Sequence, residues 1–206
     1  MNDTSIKRWG AYALGAAGLT NALFWVLALV MGGFEGADKY LDPLLVPAQA
    51  LHVLAAIFAI WGIVGIHFDQ RASLGGFGLA AAWIAVLGAS LYLVDGFTAL
   101  AFFPIIARAA PELLDAGGAL IATPWYIVMF ATHMTGYILL TLVLLIKGTL
   151  QKGAVILLLA GAIAFNLPPV VPFAILAAGG VVWGVGAIWL ALALANQPLE
   201  QAASAG

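Results

Sequence analysis

The sequence predicts an all-α fold: a polytopic transmembrane helical bundle of about six spans with both termini in the cytoplasm. Three observations predict it. The 206 residues divide into long uncharged stretches, 65% of the chain is hydrophobic, and only 8% is charged, against roughly 45–50% and 25% in a soluble domain. About 20 apolar residues cross a hydrocarbon core of about 30 Å as a helix. Two of the most apolar stretches carry His52 and His133 well inside, and an ionisable side chain at that depth is a functional-site hypothesis by default.

The first stretch lies between Arg8 and Glu35 and predicts a span over 9–33, too long for a cleaved signal segment. The second lies between Asp42 and Asp69, with Pro43 and Pro47 suited to a first helical turn, and predicts a span over 47–67. A polar turn, His67-Phe68-Asp69-Gln70-Arg71, then leads into a span over 73–95. The run from Phe97 to Ala107 contains Pro104 and ends at Arg108, so 97–120 is expected as a kinked or interfacial segment on the outer side. Within it Pro111-Glu112 opens a short helix that stops at Asp115-Ala116-Gly117-Gly118. Thr123-Pro124 is an N-cap followed by a first-turn proline, starting a span over 124–146 with Trp125-Tyr126 at belt height. The last uncharged run is broken at Asn166-Leu167-Pro168-Pro169, because prolines cannot donate to a helix ladder. It yields spans over 151–167, at the short limit for crossing, and 173–195.

The Lys/Arg distribution sets the orientation. Lys7, Arg8, Arg71, Lys147 and Lys152 fall on the side of the termini, and only Lys39 and Arg108 on the other, so the positive-inside rule places both termini in the cytoplasm. A net charge of -2 without a basic run excludes nucleic acid as a partner. The absence of cysteine excludes disulfides, thiolate metal sites and covalent haem attachment. The expected partners are the lipid bilayer and a membrane protein or second copy of the chain.

Ala48, Ala55, Ala56, Ala59 and Gly62 share the His52 side of its helix, whereas Leu54, Phe58 and Trp61 suit lipid. His52 is therefore expected to face other helices. His133 has Gly136 and Tyr137 one turn away, and the two histidines sit about 8 and 15 Å from the outer ends of their spans. Three roles fit them: hydrogen bonding across a helix interface, axial ligation of a b-type haem by His52 and His133, or a proton or quinone role. Asp95 ends an apolar span, where it is either hydrated at the headgroup level or paired with Arg108 as an outer gate. Asn21 and Asn166 are expected to satisfy neighbouring helices. His67, beside Asp69 and Arg71, is expected in solvent. Ala11-x-x-x-Gly15, Gly18-x-x-x-Ala22 and Gly180-x-x-x-Gly184 read as close-packing faces.

The run Gln70-Arg71-Ala72-x-x-Gly75-x-x-Gly78, followed by Phe103-Pro104 and Ala110-Pro111-Glu112-Leu113-Leu114-Asp115, resembles a loose group of uncharacterised bacterial multi-span membrane proteins. The resemblance covers about the middle third. It implies a bacterial inner-membrane protein of about six helices and transfers no catalytic residue. The sequence carries no Ser-His-Asp set, no metal-ligand spacing and no phosphate loop. The leading expectation is a non-enzymatic membrane subunit or binder of an apolar ligand. A bis-histidine b-haem electron carrier comes second, and a small transporter or channel third.

Overall fold

The structure, a computed structural model, describes residues 3–115, 124–167 and 171–196. Among them the chain forms seven α-helices, one 3-10 turn at Ala37–Leu41 and no strand. The helices are α1 (Asp3–Val30), α2 (Leu45–Ala101), α3 (Phe103–Ala109), α4 (Glu112–Asp115), α5 (Pro124–Lys147), α6 (Lys152–Phe165) and α7 (Phe173–Ala195). Four of them, α1, α2, α5 and α7, are long and apolar enough to cross a membrane. Helix α6 is shorter, at 14 residues or about 21 Å.

The expected turn at 67–71 is helical instead. Helix α2 runs through it to a bend at Gly75 (φ 60°, ψ −157°), which leaves two arms over 45–74 and 76–101. They fold back on each other, since Gly96 lies against Val53 and His52. The physical reason is twofold. The polar residues of 67–71 tie neighbouring elements together at the end of the bundle. Asp69 pairs with Lys7 of α1 at 3.3 Å, and buried Gln70 accepts from the Thr149 N–H at 2.8 Å and donates to Asp69. The bend falls where a glycine can take a positive φ. His67, expected in solvent, is half-buried and its Nδ1 is buried without a partner.

A Cβ at Gly75 would meet nothing within 4 Å, so the cost of a side chain there is purely conformational. Gly75→Ala is expected to lower stability by about 1–3 kcal/mol. Gly76→Ala, equally open and helical, should be neutral or stabilising by up to about 1 kcal/mol. Unfolding midpoints of the two variants in one detergent check this.

The two arms of α2 and helices α1, α5, α6 and α7 make six rods in a closed antiparallel ring, joined by small residues. Gly10 of α1 sits on Gly65 of the first arm, and Leu14 on Gly62. Gly18 meets Gly184 of α7, and Gly15 meets Ala191. Gly161 of α6 lies against Trp183 of α7, and Gly179 against Ala164. Gly88 and Gly136 bring the second arm and α5 together at His133 and Ala85. Lys152 caps the end of α5, donating to the carbonyls of Leu144, Leu145 and Gly148 at 3.2, 2.6 and 2.8 Å. The small-residue faces foreseen on α1 and α7 are thus used within the chain. In lipid this close approach replaces the burial of apolar area as the cohesive force.

On the end opposite the described termini, α3 and α4 pack over the 3-10 turn through Ala37, Ala99, Phe103, Ala107 and Leu114, and Asp115 accepts from the Ala37 N–H at 2.7 Å. The short helix expected after Pro111 is α4. The segment expected over 97–120 is helix end, α3 and α4 as far as residue 115. Residues 116–123, with the Thr123 cap, and Pro168-Pro169 lie outside the described residues. Helix α7 begins and ends at the expected residues, 173 and 195, while α1 reaches back to Asp3 and ends at Val30.

Candidate functional site

All six rods contribute to one polar aromatic centre. His52 on the first arm, 3% exposed, and His133 on α5, 2% exposed, face inward as their small-residue surroundings predict. Between them stands the ring of Tyr92 from the second arm, with centroids 4.0 Å from His52 and 4.5 Å from His133, nearly parallel to the latter at 18°. Tyr137, one turn below His133, continues the column at 4.6 Å, and Trp183 of α7 extends it at 5.6 Å. Imidazole, phenol, imidazole, phenol and indole therefore alternate along the bundle interior. Phe24 lies 4.7 Å from His52, Phe165 5.5 Å from His133, and Trp25 bridges both phenylalanines at 5.2 and 6.1 Å, so six rings close a loop.

Beneath this loop lies a cavity of about 10 Å³ lined by Asn21, Tyr92, His133, Tyr137, Phe165, Trp183 and the alanines Ala55, Ala56, Ala59 and Ala89. The alanines open the space and the polar groups give it character. Asn21 donates to the Gly180 carbonyl at 2.8 Å, a contact of about 1 kcal/mol between membrane helices. Asn166 donates to the Ala162 carbonyl at 2.8 Å, and its oxygen faces His133 Nδ1 at a long 3.4 Å. That oxygen accepts, so Nδ1 carries the proton and a neutral ring keeps Nε2 as an acceptor. Both ring nitrogens of His52, Gln49 Oε1 and the indole nitrogens of Trp25 and Trp183 are buried without a hydrogen-bonding partner. The Tyr92 backbone lies near the His52 ring but outside hydrogen-bonding geometry. Such groups are costly in a lipid-embedded core.

Asp95 sits one turn from Tyr92 on the same arm, toward the end opposite the described termini. It accepts a hydrogen bond from the Tyr126 hydroxyl and lies close to Tyr40 in the 3-10 turn. Burial, with the Asp95 charge adding to it, pushes the Tyr40 hydroxyl up to about 12, so it stays a proton donor at neutral pH. Arg108 is exposed on α3 and takes no part in the ion pairs Lys7–Asp69 and Lys39–Asp38. The structure thus gathers His52, His133, Tyr137 and Asn21, sets Asp95 beside them, toward the end opposite the described termini, with tyrosines as neighbours, and leaves Arg108 apart.

The residues present do not fit a porphyrin between His52 and His133. Tyr92 occupies the place the ring would take, and a Cβ on Gly88 would already lie 2.6 Å from the His133 Cα, which measures how close those backbones run. Tyr92 is the residue that sequence reasoning passed over. Its signal was available: Ala85, Gly88, Ala89 and Gly96 share its face at helical spacing, the same pattern that identifies the inward face at His52. No protein-family model, curated protein or solved structure matches the chain.

Proposed function

We propose that the protein is a non-enzymatic integral membrane protein that crosses the bacterial inner membrane six times with both termini in the cytoplasm, and that it is a small proton-handling transporter or channel. The alternating His52–Tyr92–His133–Tyr137 column carries this reading. Each of these rings holds one exchangeable proton and one acceptor, so a proton can arrive at one atom and leave from another. Asp95 with Tyr40 and Tyr126 supplies a polar entrance at the outer end, and intramembrane ionisable groups mark proton relays by default. Trp183, a donor without an acceptor, ends the relay at mid-bundle, and the buried Thr141 beyond it donates to carbonyls of its own helix, Tyr137 and Ile138. The relay so built runs from the Asp95 end to mid-bundle, half of a path across the chain, as one state of alternating access would present. The lysine and arginine bias toward the end bearing the termini supports the orientation.

A binder of a lipid-sized apolar ligand finds little support in a centre with room for about one water molecule. The decisive experiment is proton flux into proteoliposomes carrying an internal pH dye under an imposed membrane potential. The wild type is expected to conduct above protein-free vesicles, and Asp95→Asn, which keeps an acceptor for Tyr126, to abolish the excess. Wild-type flux equal to that of empty vesicles would return the histidines to a packing role in a membrane subunit.

A further inference from the structure

We propose that the central cavity is the binding site of a single water molecule, held by Trp183, Asn21 and His133. The volume is the first argument. About 10 Å³ is the space one water needs at its centre and too little for an organic group. The second is the lining. Cavities that stay empty are apolar throughout, whereas the walls of alanine and phenylalanine here are broken by an amide, two phenols, an imidazole and an indole.

The third argument is an accounting of donors and acceptors. The Trp183 N–H is a donor only, is sealed in a side chain 5% exposed, and has no acceptor. Asn21 uses its N–H on Gly180, which leaves its oxygen as an acceptor. His133 gives its Nδ1 proton toward Asn166, which leaves Nε2 as a second acceptor. One water takes the indole proton and donates to two acceptors, within the two to four bonds typical of buried water. A bound cation is disfavoured, because no carboxylate lines the cavity; an anion is disfavoured, because no charged donor does.

This inference deepens the proton reading and in that respect rests on it. The rings touch at 4.0–4.6 Å through stacked (Tyr92–His133) or tilted (His52–Tyr92, His133–Tyr137) faces with no hydrogen bond between them, so a relay along them needs a molecule that touches their polar edges. A water bordered by Tyr92, His133 and Tyr137 supplies that link.

The test is carried out on the full chain, labelled with ¹⁵N-tryptophan, in lipid nanodiscs. The indole resonance missing from Trp183→Phe identifies Trp183. Cross-relaxation between that N–H and water is expected in the wild type, and Ala56→Val, whose added methyls enter the cavity, should erase it and lower Tm by about 5 °C through the orphaned N–H. No water contact at Trp183, or a rise in Tm on filling the cavity, would overturn the water site. Flux without water contact defeats this inference alone, and water contact without flux defeats the proton reading alone.

Discussion

Replacing Tyr92 by phenylalanine is expected to lower proton flux by roughly 10²-fold, the scale of losing one positioned proton-transfer group, while leaving Tm nearly unchanged. The substitution preserves what the ring does for packing. A phenyl group still fills the slot between His52 and His133, with the same ring contacts at 4.0 and 4.5 Å. It removes only the hydroxyl, the one atom by which Tyr92 can pass a proton between the outer Asp95 region and His133. Dye-monitored flux and a thermal melt on the same preparation separate the two effects. Unchanged flux in a folded Tyr92→Phe protein rules out a relay through this ring. A large fall in Tm with intact flux shows that the hydroxyl serves the fold instead.

The largest effect on stability is expected from Gly65→Val. Gly10 and Gly65 cross backbone to backbone, and a Cβ on either falls on the Cα of the other. Side chains can rotate away from a clash, but a helix backbone cannot. Helix α1 and the first arm of α2 would have to separate, loosening the Leu14 contact at Gly62 and stretching Lys7–Asp69 from 3.3 Å. The cost is expected at about 3 kcal/mol or more, read as a shift in the denaturation midpoint in mixed micelles. Gly15→Ala is the matched control: its Cβ meets only the Ala191 Cβ at 3.3 Å, a contact a small shift relieves. Equal midpoints for Gly65→Val and the wild type would show that this crossing does not hold the ring together.

Helix boundaries were legible where a single physical rule decides them. The start of α7 after Pro172 and its end at Ala195 follow from proline and from loss of apolar pattern, and the structure places them there. The turn after His67 was misplaced because polarity and turn propensity point to the same residues. Asp69 and Gln70 are polar in order to bond Lys7 and Thr149, partners 62 and 79 positions away that no local window contains. Within the site, the inward orientation of His52 and His133 was legible from the alanines and glycines beside them. Their common neighbour was not, since Tyr92 reaches them only through the fold-back at Gly75.

By itself the sequence determined that this chain is all-helical and apolar, with several helices of membrane-crossing character, because hydrophobic run length and proline placement act locally. It predicts about six such spans, where the structure makes four helices among the described residues long and apolar enough to cross. It also determined which side chains are too polar to face lipid. The tertiary structure alone decided that α2 doubles back at Gly75, that Tyr92 stands between the two histidines, that Asp95 meets Tyr126 rather than Arg108, and that room for a single water remains. Those outcomes depend on which glycine lies opposite which backbone, and such long-range matches are made only when the six rods close on one another.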